Sequence, residues 1–464
     1  MEVLLDTTQP IVSGRSPARH APGGLGLVQV FPCSLTHPPT VVDLHHPVVV
    51  GRDPTCPLSI ASASISRKHA ELQPGSQGVN VRDLGSRNGT FVDGVKVNGS
   101  RVDAPIGSVL RLGGILFLVV QDCSRHRSVP RRLPSTTTHL GYDAIAGASL
   151  SRLWDRAADV AGQRVHSLIE GETGTGKELV ARIIHNGRGP FVVFNCAAIP
   201  VPLFEAELFG HAPGAFTGAQ RRRRGLFCQA NHGTLFLDEV GEMPLEAQAK
   251  LLRALDTHRI RALGESEETK VDATIVAATN VDLLRACHAG RFREDLYFRL
   301  SARKLHVPPL HACRDSILLL ATLFLEESAR NASLTPEAAE ALLLAPWRGN
   351  IRELNSIVKS AGFDAELSGR RGILPGDLFP PTEFALPPPA AVDRARSSVT
   401  PPPRKRGDQV TRQDIIAAMA IAHGQANKAA PALGMCRASF YNHCKRLGIN
   451  LDELRPPNTR VPTR

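Results

Sequence analysis

The heptapeptide GETGTGK at residues 171–177 constrains what this chain can fold into more than any other feature. It places Gly171, four residues, Gly176 and Lys177 immediately after the strand-like HSLIE (166–170). Glycines let the backbone curl so that several N–H groups face one phosphate, and a helix starting there adds the positive end of its dipole. Lys177 supplies a point charge for β and γ oxygens. The next residue is Glu178, where such loops usually carry a Ser or Thr hydroxyl for Mg²⁺. A second motif offsets that departure. TLFLDE (234–239) ends an apolar strand in two adjacent carboxylates. Asp238 there suits Mg²⁺, directly or through water, and Glu239 suits an attacking water. The plainer alternative is that both carboxylates cap a helix.

The surroundings agree with a nucleotide fold. Between about 145 and 365 the apolar runs HSLIEG, FVVFNC, TLFLDEV and TIVAATN are each followed by a helix-like segment. That alternation predicts a parallel sheet covered by helices. At 464 residues the chain is long enough for about three folded units. Residues 25–122 read as short strands broken by turn residues (LGLVQVF, VVVGRD, HAELQP, VNVRDLG, SVLRLGGILFLVVQ), which predicts an all-β sandwich. A basic, Ser/Thr/Pro-rich stretch at 123–140 reads as a linker. The α/β unit with its helical lid spans 141–368, a Pro-rich linker 369–408, and a small all-α unit 409–455.

The formal charge is +11, and its placement is uneven. From Arg404 to Arg464 there are eleven Lys/Arg against four Asp/Glu. That concentration fits a nucleic-acid-binding appendage or a solubilising tail equally well. The longest strongly apolar stretch, Ile317 to Leu325, is far shorter than the roughly 20 residues a membrane-spanning helix needs. No basic flank followed by an apolar segment opens the chain, and the nine cysteines form no CxxC pair or metal-ligand cluster. A soluble, cytoplasmic protein with reduced thiols and no membrane partner is expected.

Several further motifs around the phosphate loop together resemble the AAA+ ATPase domain of bacterial sigma-54-dependent activators. They are GETGTGKE, FNCAAIP (194–200), ELFGHAPGAFTGA (207–219), GTLFLDEVGEMP (233–244), AATNVDL (277–283), RFREDLYFRL (291–300) and WRGNIREL (347–354). In that family Glu follows the loop lysine, so Glu178 is no longer anomalous. The resemblance implies that ATP with Mg²⁺ is held by Gly171, Glu172, Thr173, Gly174, Thr175, Gly176, Lys177 and Glu178, with Asp238 on the metal. It implies that Asn195 restrains Glu239 and that Thr279 and Asn280 form the first sensor. Arg293 and Arg299 match arginine fingers that reach a neighbour's γ-phosphate, and Arg352 matches the second sensor. A lone subunit then lacks a complete site, so a homo-oligomeric ring, in this family a hexamer, is implied. Solvated helix-face charges are the alternative for the two arginines.

GAFTGA (214–219) has one large hydrophobe between Gly214 and Gly218, and by spacing alone reads as a turn whose Phe216 tucks into the core. By resemblance, Gly214, Ala215, Phe216, Thr217, Gly218 and Ala219 are the contact with the sigma-54 RNA polymerase holoenzyme, raised and lowered by ATP hydrolysis. The run Arg221–Arg224 reads as a solvated basic face or as an aid at promoter DNA. At the C-terminus, ANKAAPALGMCRASFYNHCKRLGI (426–449) fits a helix-turn-helix. Ala430 permits close helix approach, Gly434 supplies the turn, and Phe440, Cys444 and Leu447 share a face. Arg437, Tyr441, Asn442, Lys445 and Arg446 are then free for bases and phosphates of enhancer DNA. A dimerising bundle without DNA contact is the alternative, and the segment resembles the Fis-type domain of the same activators.

The N-terminal sandwich resembles a forkhead-associated (FHA) domain on GRD (51–53), SISRKHA (64–70) and DLGSRNGTFVDG (83–94). That implies binding of a phosphothreonine protein, with Arg52, Ser66 and Arg67 on the phosphate and Arg87 and Asn88 on the peptide backbone. Guanidinium and hydroxyl donors suit a dianionic phosphate. His69 is expected to brace the loop. The combined expectation is an activator that binds DNA, assembles, hydrolyses ATP and remodels the closed promoter complex under a serine/threonine kinase signal. Two other classes stay in view: a AAA+ remodeller unrelated to transcription, and a DNA-bound phosphopeptide scaffold with an inert ATPase. His311, Cys313, Cys228 and His232 stand at unusual positions for the family.

Overall fold

The computed structural model describes residues 24–138, 143–216, 219–329 and 331–379, the strand Val12–Ser13, and Arg412, Ile415, Phe440 and Cys444. The chain divides into one unit up to Phe384 and a second from Ala385.

Short β-branched and leucine runs separated by glycine turns form two six-stranded sheets at the start of the first unit. One runs Val12–Ser13, Leu58–Ile60, Val48–Gly51, Ala70–Pro74, Gly78–Asp83, Val102–Pro105. The other runs Val41–Asp43, Gly26–Phe31, Ile115–Val120, Val109–Leu112, Thr90–Val92, Val95–Lys96. Leu27, Val50, Ile60, Leu72, Val81, Leu110, Leu112 and Phe117 fill the space between them. Successive strand residues point to opposite faces. In the second sheet the outward set is apolar too: Val30, Val109, Leu116 and Leu118 are all buried. They join a different core, built with the helix Arg314–Ser328.

The α/β layer is a five-stranded, all-parallel sheet in the order Phe191–Asn195, Thr234–Asp238, Thr274–Thr279, Ser167–Glu170, Arg303–His306. The strands are nearly continuous in apolar residues because helices cover both faces. Helices Ala148–Val160 and Lys177–His185 pack on one side over Ile169, Phe236 and Val276. Helix Leu245–Thr257 packs over Leu237 and Ile275 on the other. A helical module follows: Arg314–Ser328, Pro336–Leu344, Asn350–Leu367 and the short Pro375–Leu378. Among the described residues no helix is long and apolar enough to cross a membrane.

Two stretches read as linkers are partly built into this unit. Arg131–Leu133 pairs antiparallel with Ala144–Ala146. Gly372–Ile373 pairs with Ser333–Leu334, so the helical module runs past 368. In the second unit Ile415, Phe440 and Cys444 are helical and buried. The DNA-contact set Arg437, Tyr441, Asn442, Lys445 and Arg446 lies outside the described residues, as does the remainder of the expected helix-turn-helix.

Candidate functional site

Three parallel strands end side by side and deliver the polar groups expected from the sequence to one edge of the sheet. Ser167–Glu170 runs into the loop, where Gly174 (φ 78°) and Gly176 (φ 91°) adopt left-handed conformations. A side chain is strained there; at Gly174 a Cβ would also lie 2.3 Å from the Gly349 carbonyl oxygen. Helix Lys177–His185 begins at the loop's end, with its first N–H groups directed toward it. The Lys177 side chain is 7% exposed and folds back under the loop, donating to the carbonyls of Gly171 (3.0 Å) and Glu172 (3.3 Å). Its ammonium lies 3.6 Å from Glu239 Oε1.

Asp238 and Glu239 sit where the strand Thr234–Asp238 ends, and Glu239 turns out of it at φ 51°. The Glu239 N–H donates to Asp238 Oδ1 (3.1 Å), and Glu239 Oε2 accepts from the Asn280 N–H (3.3 Å). Burial and the neighbouring Glu239 charge push the Asp238 carboxyl above its ordinary range, with Lys177 opposing them. A carboxylate pair short of positive charge is a chemically suitable seat for a divalent cation.

The first-sensor pair divides its work. Thr279 is fully buried, and its hydroxyl accepts from the Val281 N–H (3.2 Å). Asn280 is exposed and donates its amide to Thr173 Oγ1 in the phosphate loop (3.0 Å). Asn195 differs from expectation in its partner. Parallel pairing sets it opposite Asp238, and its amide reaches Asp238 Oδ2 (3.4 Å) rather than Glu239, which has turned away.

Arg293 is held by a two-point contact with Asp295 (3.1 and 2.7 Å) at the start of helix Glu294–Leu300. Arg299, on the same helix, pairs with Asp256 (3.4 Å) and donates to the Leu255 carbonyl (3.2 Å). Both arginines are about half exposed. Arg299 also bears on His166, just before the loop strand. The His166 Nδ1 accepts from the Ile275 N–H (3.1 Å), which requires that nitrogen to be unprotonated. Burial first, then the charges of Arg299 and His258, pull His166 down to about 4. In the unfolded chain it takes a proton near pH 6.5, and in the folded one only near 4. Stability from this site is therefore present above pH 6.5 and is lost as pH falls toward 4. Thermal melts across that range should show a falling Tm, with a shallower slope in His166→Gln.

Sequence reading placed Arg352 here and passed over Asn350. The helical module meets the loop at this point: Arg352 lies against Gly174, and the Ile351 N–H donates to the Gly174 carbonyl (2.9 Å). Asn350 is fully buried at φ 54°. Its amide donates to Glu172 Oε2 and to the Thr173 carbonyl, both at 3.0 Å, while its Oδ1 accepts from the Leu310 N–H (2.7 Å). The available signal was an Asn directly after a Gly, a pair that tolerates left-handed backbone and marks a turn.

The GAFTGA segment is described up to Phe216 and again from Ala219; Thr217 and Gly218 lie outside the described residues. Phe216 is half-buried, its ring edge-on to His211 at 5.0 Å, so it neither enters the core nor stands free. Of the unusual positions, His232 makes the turn at the far end of the strand from Asp238 (φ 60°). Cys228 is half-buried and His311 exposed. Cys313 packs with Trp154, and burial raises its thiol to about 12.

In the sandwich, Arg52, Arg67 and Arg87 are exposed and form no ion pair among the described residues. Backbone bonds gather their loops: Arg52 N–H to the Ser66 carbonyl (2.8 Å), and Arg87 N–H to Ser66 Oγ (3.0 Å). Asn88 spends its amide on the Ser64 carbonyl (2.8 Å). His69 is fully buried, accepts from the Ser66 N–H at Nδ1 (3.1 Å) and so donates from Nε2 to the Gly89 carbonyl (3.1 Å). It braces the loop, as expected, and burial lowers its pKa.

Residues 145–306 match the Sigma-54 interaction domain family, 312–375 the AAA+ ATPase lid domain, and 48–113 the FHA domain. The regulatory protein LuxO of Vibrio cholerae is 49% identical over 220 residues, 46% of this chain and 42% of LuxO. AtoC of Escherichia coli is 43% identical over 261 residues, 53% of this chain and 57% of AtoC. This chain thus spans about half the length of these two relatives. The anaerobic nitric oxide reductase transcription regulator NorR of Vibrio vulnificus is 38% identical over 364 residues, 74% of this chain and 70% of NorR. With a AAA+ sigma-54 domain, its lid and an FHA domain in one chain, the protein belongs to the sigma-54-dependent activator family.

Proposed function

We propose that the protein hydrolyses ATP to ADP and phosphate and uses the energy to remodel the closed promoter complex of sigma-54 RNA polymerase, under the control of a phosphothreonine protein. The observation that carries this reading is the convergence of Lys177, Asp238, Glu239 and Asn280 at one sheet edge, against a glycine loop that opens a helix.

In this reading residues Gly171 to Glu178 wrap the phosphates. Lys177 exchanges its bonds to the Gly171 and Glu172 carbonyls for phosphate oxygens. Asp238 holds Mg²⁺, whose charge offsets that developing on the phosphate. Glu239 orients the water, restrained meanwhile by Lys177 and the Asn280 N–H. Asn195 steadies Asp238, and Thr279 fixes the strand end from which Asn280 reaches the loop. Arg352 meets the nucleotide from the lid. Arg293 and Arg299, whose ion-pair partners are exposed carboxylates, are available to the site of a neighbouring subunit. That sharing makes a ring, a hexamer by family precedent, the active form.

The GAFTGA loop is the contact with sigma-54, and the basic C-terminal unit tethers the ring to enhancer DNA in the bacterial cytoplasm. The guanidinium groups of Arg52, Arg67 and Arg87, exposed and without an ion pair among the described residues, suit a phosphothreonine dianion, which a serine/threonine kinase pathway would supply. The deciding experiment is Thr217→Ala in the full-length protein. ATP hydrolysis should stay within about twofold of wild type while transcription from a sigma-54 promoter falls by about tenfold or more. Equal transcription by variant and wild type would favour a remodeller that acts on some other protein.

A further inference from the structure

The FHA domain is fastened to the lid, and a cleft lies between it and core helix Ala148–Val160. Its second sheet lays Val30, Val109, Leu116 and Leu118 on lid helices Arg314–Ser328 and Pro336–Leu344, within one continuous apolar cluster. At the centre of the polar contact is Arg111, 7% exposed. It donates to Glu340 Oε2 (2.8 Å) and Glu337 Oε1 (3.2 Å) on lid helix Pro336–Leu344, and its guanidinium lies 3.7 Å from the centre of the Phe91 ring. Arg314 of the lid donates to the Gly107 carbonyl (2.7 Å), and Cys33 Sγ sits 3.2 Å from Thr322 Oγ1. Toward core helix Ala148–Val160 there is instead an open cleft of about 560 Å³, with Val30 and Pro38 on one wall and Ser151 and Arg152 on the other.

The same contact is linked through Gly113 and Ser64 to the phosphate-reading loops, and the lid that carries its other half also reaches the nucleotide loop. Asn88 bonds the Ser64 carbonyl, and Ser64 abuts the Gly113–Gly114 turn: a Cβ on Gly113 would lie 2.3 Å from the Ser64 oxygen. Arg111 bonds the Gly113 carbonyl (3.4 Å). At the lid's other side, Asn350 ties it to Glu172 and Thr173.

We infer that the FHA domain and the lid move as one rigid body through the ATPase cycle, so that a phosphothreonine ligand on the FHA loops changes nucleotide affinity by loading the lid. This rests on the ATPase and phosphothreonine readings above. The pair is hinged to core helix Ala148–Val160 through the lid, where the Ser149 N–H donates to Asp315 Oδ2 (2.8 Å) and the Gly147 N–H to Ser316 Oγ (3.1 Å). Coupling of this kind is reciprocal: whatever the peptide does to ATP affinity, ATP does to peptide affinity.

The test clamps the two parts. Thr322→Cys places a second thiol beside Cys33, and dipyridyl disulfide oxidises the pair to a cystine, itself leaving as two pyridinethiones; Cys33→Ser/Thr322→Cys is the control. The clamped full-length protein should hydrolyse ATP within about twofold of the same sample after reduction. A loss of about tenfold or more that reduction restores, and that the control lacks, would mean the FHA domain must leave the lid, and the inference fails.

A second arm uses a degenerate phosphothreonine peptide pool, with its unphosphorylated counterpart as control. The phosphorylated pool should shift the ATP Kd by about fivefold or more in wild type, and not in Glu337→Arg/Glu340→Arg, which sets like charge against Arg111. Both proteins must still bind peptide and ATP, which shows that each part has folded. A shift that persists in the double variant overturns the route through this contact. Wild type that binds ATP but no phosphopeptide overturns the phosphothreonine reading and the coupling together. Wild type that neither binds nor hydrolyses ATP overturns the ATPase reading instead.

Discussion

Glu239→Gln is expected to lower ATP turnover by about 10²–10⁴-fold while ATP still binds, the range for removal of a positioned general base. The argument is geometric. Glu239 leaves its strand in a left-handed turn, and its carboxylate is shared between the Lys177 ammonium at 3.6 Å and the Asn280 N–H at 3.3 Å. Both partners lie beside the glycine loop, so on the proposed ATPase reading this carboxylate is the group that orients the attacking water. Glutamine keeps the shape and loses the charge that polarises the water. It also removes a negative charge from the vicinity of the triphosphate, so ATP affinity should hold or rise. Steady-state phosphate release and equilibrium ATP binding, measured on the same sample, separate the two effects. A fall of less than about tenfold would assign the water to another group.

The second large effect is on stability. Glu340→Ala should destabilise the first unit by about 3–5 kcal/mol, the range for breaking a buried ion pair from one side. Arg111 would keep only the half-exposed Glu337, the Gly113 carbonyl and the Phe91 ring, too little to solvate a guanidinium that is 7% exposed. Burial raises the Glu340 pKa and the Arg111 charge opposes it. Its Oε1 also has no hydrogen-bond partner among the described residues, so the pair is imperfectly solvated even when intact. Arg111→Met combined with Glu340→Leu should therefore recover most of the loss, because a well-packed apolar pair needs no solvation. Denaturant melts of both variants decide it; a single variant as stable as wild type would mean that the contact is open to water.

The nucleotide edge was legible because its chemistry is local. A glycine loop between an apolar strand and a helix has few backbone solutions, and TLFLDE ends at the same sheet edge because parallel strands share one direction. His69 was legible for a similar reason, since it lies a few residues from the loop it braces. Asn350 was not legible as a loop contact. Its partners are Leu310, 40 residues away, and Glu172 and Thr173, 178 and 177 away. The resemblance ties Asn195 to Glu239; the strand register instead sets it opposite Asp238, a choice between two adjacent carboxylates that is made by pairing between strands.

Local and periodic features follow from the residues alone: the phosphate loop, the carboxylate pair, the alternation that makes a parallel sheet, and the strand periodicity of the sandwich. These depend on backbone conformations and side-chain periods that a few neighbouring residues set. The tertiary structure alone decided that ILFLVV (115–120) is buried on both faces, and that Arg111 finds its counter-charge 229 residues away on the lid. An unbroken apolar run and a lone arginine inside a strand hint at a second covered face. What covers it is a long-range packing choice, settled by shape and charge between elements that no sequence window contains.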